Sequence, residues 1–276
     1  MFIADAQVHI WTANTPERPW RPGHKPHRET PLDAHELLQQ MDAAGVSRAV
    51  LIPPFWTGPR NDVVLEAARA HPDRFAVMGR LDNIPPPTRE QIPTWRQQPG
   101  MLGLRCSIAE RSTASLEGLD WLWEEAEKAG VPIMVLAPHT VMHMVDRIAA
   151  HYPGLKLIMS HLGLVSRQYD EEAFRDLDKL LALAKRPNVA AKASALPFYT
   201  RDTYPYRALH PYLRRVYNAF GPQRMFWGSD LARMPCTYRQ MITMFTEEIP
   251  WLNAEDKDWI MGRGLCEWLK WDLPNA

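Results

Sequence analysis

The side chains in this chain that could do chemistry recur in one pattern: each sits at or just after the end of a short apolar run. Asp5-Ala6-Gln7-Val8-His9 comes first and sets an amide and an imidazole two residues apart. Residues i and i+2 of a strand share a face, so Gln7 and His9 can reach one point. Arg105 lies near the end of Met101 to Ser107, His139 follows Val131 to Ala137, and His161 follows Leu155 to Ser160. Lys192 and Ser194 lie in Val189 to Ser194, and Asp230 follows Met225 to Ser229. Together these are the parts of a hydrolytic site. A carboxylate takes a proton, donors hold developing negative charge, and a guanidinium grips an anion. Each also has a plain structural use. A histidine after a strand often only satisfies its loop, His139 can cap the next helix, Arg105 can serve an ion pair, and Lys192 can be a buried structural charge. Convergence separates them from that background, because six strand ends carry such groups. The other histidines, His24, His27, His35, His71, His143, His151 and His210, read as surface or loop residues.

Groups delivered this way need a scaffold whose strand ends share one face. Eight apolar runs read as strands: Ile3 to Ile10, Arg48 to Pro53, Phe75 to Leu81, Met101 to Ser107, Val131 to Ala137, Leu155 to Ser160, Val189 to Ser194 and Met225 to Ser229. Their length and β-branched content suit buried parallel strands. Helical patterns lie between them: Pro31 to Ala44 closed by Gly45, Asn61 to His71, Leu116 to Ala129, Val141 to His151, Tyr169 to Lys185 and Arg207 to Phe220. Asp256 to Trp271 reads as a closing amphipathic helix. Eight β-α units in 276 residues predict an α/β chain folded as a single (β/α)8 TIM barrel over 1–276, a fold of roughly 250 residues with chemistry at the strand C-termini. A doubly wound open sheet is the competitor, but no G-x-G-x-x-G follows the first strand. The stretch Thr15 to Pro31 is a long first loop, of the kind that is usually functional.

Composition narrows the partners. Lys plus Arg equals Asp plus Glu at 32 each, so there is no electrostatic footprint for nucleic acid or an anionic membrane. The three cysteines form no C-x-x-C and point to a reduced, cytoplasmic setting. No apolar run approaches the ~20 residues that span a bilayer, and Asp5 falls where a signal peptide would build its apolar core. Among the 11 tryptophans, Trp251 and Trp271 read as exposed and are candidates for a contact in a homo-oligomer.

Asp5-Ala6-Gln7-Val8-His9-Ile10-Trp11, Ser160-His161-Leu162-Gly163 and Trp227-Gly228-Ser229-Asp230, in this order, resemble the amidohydrolase superfamily. More narrowly they resemble its amidohydrolase-2 branch, which includes sugar lactonases and 2-pyrone-4,6-dicarboxylate lactonase. Ile260-Met261-Gly262-Arg263-Gly264-Leu265-Cys266 resembles that branch's closing helix, so the likeness spans nearly the whole chain. By this resemblance the strand-one H-x-H falls on Gln7 and His9 and is half satisfied. The strand-six histidine falls on His161, and the water-activating strand-eight aspartate on Asp230. The metal-bridging position of strand four holds Arg105, whose guanidinium cannot be deprotonated to ligate, which argues against a binuclear centre. His139 falls on the strand-five ligand position or one turn beyond it.

Gln7 offers only a neutral amide and is a poor zinc ligand beside imidazole or carboxylate. The resemblance therefore implies a hydrolase that opens a small lactone or related cyclic ester, carboxylated, with no cofactor expected. Asp230 would activate water. His161 and His9, or Gln7 through its NH2, would polarise the carbonyl. Arg105 and Arg233 would hold a substrate carboxylate, with His139 also lining the substrate site. Tyr199, Tyr204, Trp11, Trp20 and Trp56 are pocket walls or plain packing. Two alternatives stay open. One is a metal-dependent decarboxylase or hydratase of an aromatic or dienoic acid, with one divalent metal such as zinc on His9, His161 and Asp230. The other is a catalytically inactive barrel that binds a small ligand.

Overall fold

In the computed structural model, described over residues 1–58, 60–81, 88–108 and 120–273, eight parallel strands pair in chain order around a barrel. They are β1 (Ala4–Val8), β2 (Arg48–Leu51), β3 (Phe75–Arg80), β4 (Met101–Ser107), β5 (Ile133–Leu136), β6 (Leu157–Met159), β7 (Val189–Ser194) and β8 (Met225–Gly228). Every apolar run read as a strand is one: Met101–Ser107 and Val189–Ser194 keep their bounds and the other six are shorter. The outer layer contains α1 (Ala34–Ala44), α2 (Asp62–Ala70), α3 (Asp120–Ala129), α4 (Met142–His151), α5 (Asp170–Phe174), α6 (Leu177–Leu181), α7 (His210–Phe220), α8 (Tyr238–Thr246), α9 (Ala254–Asp258) and α10 (Gly264–Leu269). Asp33 caps α1 by accepting from the Glu36 amide at 2.8 Å, and Gly45 ends it in the left-handed region.

Several details differ from the sequence reading. The pattern Tyr169 to Lys185 breaks into α5, α6 and a last 3-10 turn. The first residues of the pattern Leu116 to Ala129 lie outside the described residues. Helix α8 has no counterpart in that reading, whose last helical pattern before the closing one ends at Phe220. Its Thr237-to-Gln240 capping box was the legible signal. Trp251 and Trp271 are half-buried rather than exposed. Trp251 packs against Tyr217, and Arg48 lies over Trp271.

Two features aim the site. A register shift between Asp5 and Val8 breaks the alternation of β1. Ala4 and Ala6 belong to the interior apolar cluster, and Gln7 and His9 also meet Lys192 on β7 and groups in the turns that follow β2, β6 and β8. Bulges of this kind re-aim side chains beside sites. The barrel then closes between β1 and β8 through Asp5. Its Oδ1 accepts from the amides of Gln7 at 2.9 Å and Ser229 at 2.8 Å, and its Oδ2 from the Tyr238 hydroxyl at 2.7 Å. The Asp230 amide donates to the Gln7 carbonyl at 2.9 Å. At the other end of the barrel, Leu265, Cys266 and Leu269 of α10 join the interior residues Ala4, Val50, Ala76, Leu102, Ala190 and Phe226 in one apolar plug.

Candidate active site

Strand ends β1, β6, β7 and β8 bring Gln7, His9, His161, Lys192, Ser194 and Asp230 together, all buried. His9 Nδ1 lies 2.6 Å from the Ile52 carbonyl oxygen, so that nitrogen carries the hydrogen and donates. Burial lowers His9 to about 4, against the opposing pull of Asp230. His9 is therefore neutral near pH 7, with a lone pair on Nε2. Gln7 Nε2 stands 3.3 Å from that nitrogen and 3.2 Å from His161 Nε2, while Gln7 Oε1 accepts from Lys192 Nζ at 2.5 Å. On its far side, His161 Nδ1 lies 2.8 Å from Ser194 Oγ. Burial, with Arg233 next, holds His161 well below the ordinary imidazole range. Burial, with Arg105 next, holds Lys192 well below its ordinary range too.

Asp230 lies against these rings. Its Oδ1 is 3.4 Å from His9 Nε2, its Oδ2 is 3.9 Å from His161 Nε2, and Arg233 Nε touches Oδ2 at 2.5 Å. That last pair is a charge contact rather than an aligned hydrogen bond, since Arg233 Nε has no hydrogen-bond acceptor among the described residues. Burial alone would raise Asp230, but Arg233, His9, His161 and His27 outweigh it and hold the carboxyl well below the usual range. Oδ1 itself has no donor among the described residues. Both His161 and Asp230 adopt left-handed backbone, at φ 51° and φ 55°. Such conformations cost non-glycine residues about 1–2 kcal/mol each, less for aspartate, and collect where placement matters more than local stability.

Arg105 is buried on β4 and donates from Nη1 to Ser160 Oγ at 2.9 Å. Burial, then its β3 neighbour Arg80, lowers it to about 10. Arg233 runs along the wall under Phe198 at 4.4 Å and reaches the Tyr199 hydroxyl at 3.4 Å. Tyr204 belongs elsewhere, its hydroxyl sitting 2.9 Å from Thr243 Oγ1 on α8. The structure does not bring His139 into the group. Its Nε2 pairs with the Leu162 carbonyl at 2.8 Å, and the charges acting on its ring are Asp176 and Lys179. Trp11 and Trp56 are buried edge to face at 5.2 Å.

The sequence reading missed two residues. Asp5 was seen only as a motif letter, yet it ties Gln7 to the strand that carries Asp230. His27 was set aside as a loop residue. It is an exposed loop residue, but the loop folds back so that its ring meets Trp56 at 4.5 Å and His9 at 5.6 Å between centroids. Its neighbour Arg28 fixes the loop by gripping Glu36 at 2.8 and 2.5 Å and the Thr30 and Pro31 carbonyls at 2.8 and 2.7 Å. No short motif marks that placement.

The donors around Asp230 fit a metal ion poorly. Among the described residues, no group of three or more His, Cys, Asp or Glu is arranged to hold one. The Nε2 atoms of both imidazoles already face the Gln7 amide, and Arg105 and Arg233 set two guanidinium charges near the one carboxylate.

Residues 4–263 match the model of the Amidohydrolase family known as Amidohydro_2. The chain is 24% identical over 240 residues to an L-fucono-1,5-lactonase of Burkholderia ambifaria, covering 83% of this chain and 80% of that one. A Burkholderia multivorans amidohydrolase solved with bound zinc superposes at TM-score 0.81 and 18% identity, over 98% of this chain and 99% of that one. A probable 2-pyrone-4,6-dicarboxylic acid hydrolase of Acinetobacter baumannii with citric acid bound superposes at TM-score 0.79 and 16% identity, over 98% and 100%. The zinc in the B. multivorans protein stands on the side of the metal alternative. No helix among the described residues is long and apolar enough to cross a membrane.

Proposed function

The chain belongs to the amidohydrolase family and is a lactonase-like hydrolase, and on that premise we propose that it opens a small carboxylated lactone with Asp230 as general base. The observation that carries this reading is the buried Asp230 Oδ1, which has no donor among the described residues and lies 3.4 Å from the neutral His9 ring, while Oδ2 faces His161 and Arg233. A carboxylate oxygen in that state accepts from water. As the water oxygen adds to the lactone carbonyl, Asp230 takes its proton. As the ring C–O bond breaks, Asp230 returns that proton to the departing oxygen, and the product is a hydroxy acid.

The remaining groups take their parts from their hydrogens. His9 Nε2 presents a lone pair, and Gln7 already spends its amide hydrogens on the two rings. Polarising the carbonyl therefore falls to guanidinium hydrogens rather than to His9, His161 or Gln7. Two guanidiniums, buried Arg105 and half-buried Arg233, against the one carboxylate of Asp230 leave an excess of positive charge even with Lys192 held toward its neutral form, which suits an anionic substrate. Arg105 and Arg233 are placed to hold its carboxylate. A substrate carboxylate that draws on Arg233 also loosens the ion pair to Asp230, which makes Asp230 the stronger base when substrate is bound.

The test is Asp230→Asn, assayed on carboxylated and neutral lactones beside thermal unfolding. Carboxylated lactones should be hydrolysed, and the variant should keep its melting temperature while losing about 10²–10⁴ in kcat. Near-normal turnover in a stable variant would remove Asp230 from the reaction. Activity is expected to survive chelation. About one zinc per chain, with activity lost on its removal, would instead put His9, His161 and Asp230 on a metal that lowers the pKa of bound water.

A further inference from the structure

We propose that Lys192 is a positioning residue that acts through the Gln7 amide: it fixes which way the amide faces, and thereby fixes the tautomer of His161. One chain of contacts links the three. The Ile52 carbonyl, 2.6 Å from His9 Nδ1, forces the hydrogen onto that nitrogen and the lone pair onto Nε2. The Gln7 atom facing His9 Nε2 must then be the one that bears hydrogens. At its other end, Gln7 faces Lys192 Nζ at 2.5 Å, and a lysine nitrogen has hydrogens to give in either protonation state, so the atom it donates to there is the amide oxygen. Both ends demand the same flip.

That flip also decides His161. Its Nδ1 faces a serine hydroxyl, which can give or take a hydrogen and so fixes nothing by itself. Its Nε2 faces the second hydrogen of the Gln7 amide at 3.2 Å and must accept. His161 is thus an Nδ1–H tautomer that donates to Ser194 Oγ, with its Nε2 lone pair turned toward Gln7 and Asp230. Two imidazoles are aligned by two amide hydrogens, and the amide is oriented by a buried lysine. Outer partners of this kind set ring orientation and tautomer. Lys192 is fully buried, and its other hydrogen-bond contact among the described residues is the weak acceptor Met134 Sδ at 3.5 Å. It therefore depends on Gln7 as much as Gln7 depends on it. A lysine that only filled the barrel floor would make a different prediction: its loss would lower stability and leave His161 unchanged.

The experiment uses the full chain labelled with 15N-histidine, with two-bond nitrogen–proton spectra that report each ring's tautomer. In the wild type, His9 and His161 should both be Nδ1–H. In Lys192→Met the amide keeps only its His9 contact as an anchor, so His161 should gain a population of the Nε2–H form while His9 stays pinned by Ile52, and a His161 that remains wholly Nδ1–H in a folded Lys192→Met overturns the proposal. Gln7→Glu is the second variant and keeps a partner for Lys192, so it stays folded even where Lys192→Met does not. Its carboxylate has no hydrogen to give, and His161 should again switch to Nε2–H. A His161 that stays Nδ1–H in Gln7→Glu overturns the proposal. The kinetic arm rests on the hydrolase reading: kcat should fall about 10–100-fold in both variants with KM little changed. The arms separate the two ideas. Switched tautomers without any lactone turnover would count against the hydrolase reading and not against Lys192.

Discussion

The two ends of the barrel turn their chain by opposite means. At the end where helices lead into strands, Gly45, Gly130 and Gly221 take the positive φ that a tight reversal needs. Glycine does this without strain. Lys270, which closes α10 at φ 54°, is the exception there. At the other end, where strands lead out, Gly23, Gly58 and Gly163 are joined at positive φ by the non-glycines His161, Leu162, Ala195 and Asp230. The interiors differ in the same sense. Below lies an apolar plug sealed by α10, and above lie Arg105, Lys192, His9, His161 and Asp230. One end is built as a protein would be built for stability alone. The other accepts strained backbone and buried charge to hold particular atoms in place, which is the signature of a site.

The contrast is broken most directly by exchanging its effects. Asp230→Asn should cost turnover and leave melting unchanged. At the floor, Leu265→Ala should do the reverse. Leu265 is fully buried in the plug, and truncating such a leucine costs about 2–5 kcal/mol through lost burial and the cavity left behind. Denaturant unfolding should show that loss while kcat/KM at permissive temperature stays within about twofold. A large drop in kcat would mean that the floor transmits to the mouth and that the two ends are not independent.

Asp5 sits where the two halves meet. Burial raises its carboxyl to about 6, against the hydrogen bonds from Ser229, Gln7 and Tyr238. The sign follows from the unfolded value of 3.8: the folded state holds the proton more tightly. This group's contribution is therefore full below about pH 4 and is lost as pH rises through about 6. The gap between the folded and unfolded values corresponds to about 3 kcal/mol. Asp5→Asn should flatten the dependence of stability on pH across that window. An unchanged slope would show that Asp5 is not the group responsible.

Much of this could be read from the chain, for identifiable reasons. Eight buried strands announce themselves because each is an apolar run, and a barrel sends all their ends to one face. Gln7, His9, His161 and Asp230 were legible because they stand at those ends. The Asp5–Val8 shift was not, since one extra residue leaves no trace in an alternating pattern. Nor was the direction in which the Gln7 amide faces, because that depends on Ile52 and Lys192, which lie 45 and 185 positions away. His139 looked like its neighbours in sequence, but the turn after β5 ties it to the Leu162 carbonyl instead.

His27 is the sharpest case, and it carries the smallest expected effect. It belongs to the irregular first loop, yet its ring lies against Trp56 and His9 at the mouth, and Arg28 anchors the chain beside it. Partial burial lowers its pKa, while Asp230 pulls it the other way. The residue is exposed, so most of that effect is screened and its value to stability is small. Its role is more simply a polar edge over the substrate. His27→Phe keeps an aromatic ring to pack on Trp56 and removes both nitrogens. We expect KM to rise about three- to tenfold with kcat nearly unchanged, the mark of a contact made equally in ground and transition states. A fall in kcat of the size seen for a general acid or base, about 10²-fold or more, would place His27 in the proton transfers instead. Wild-type kinetics would return His27 to the status the sequence suggested, a surface or loop residue with no hand in the reaction.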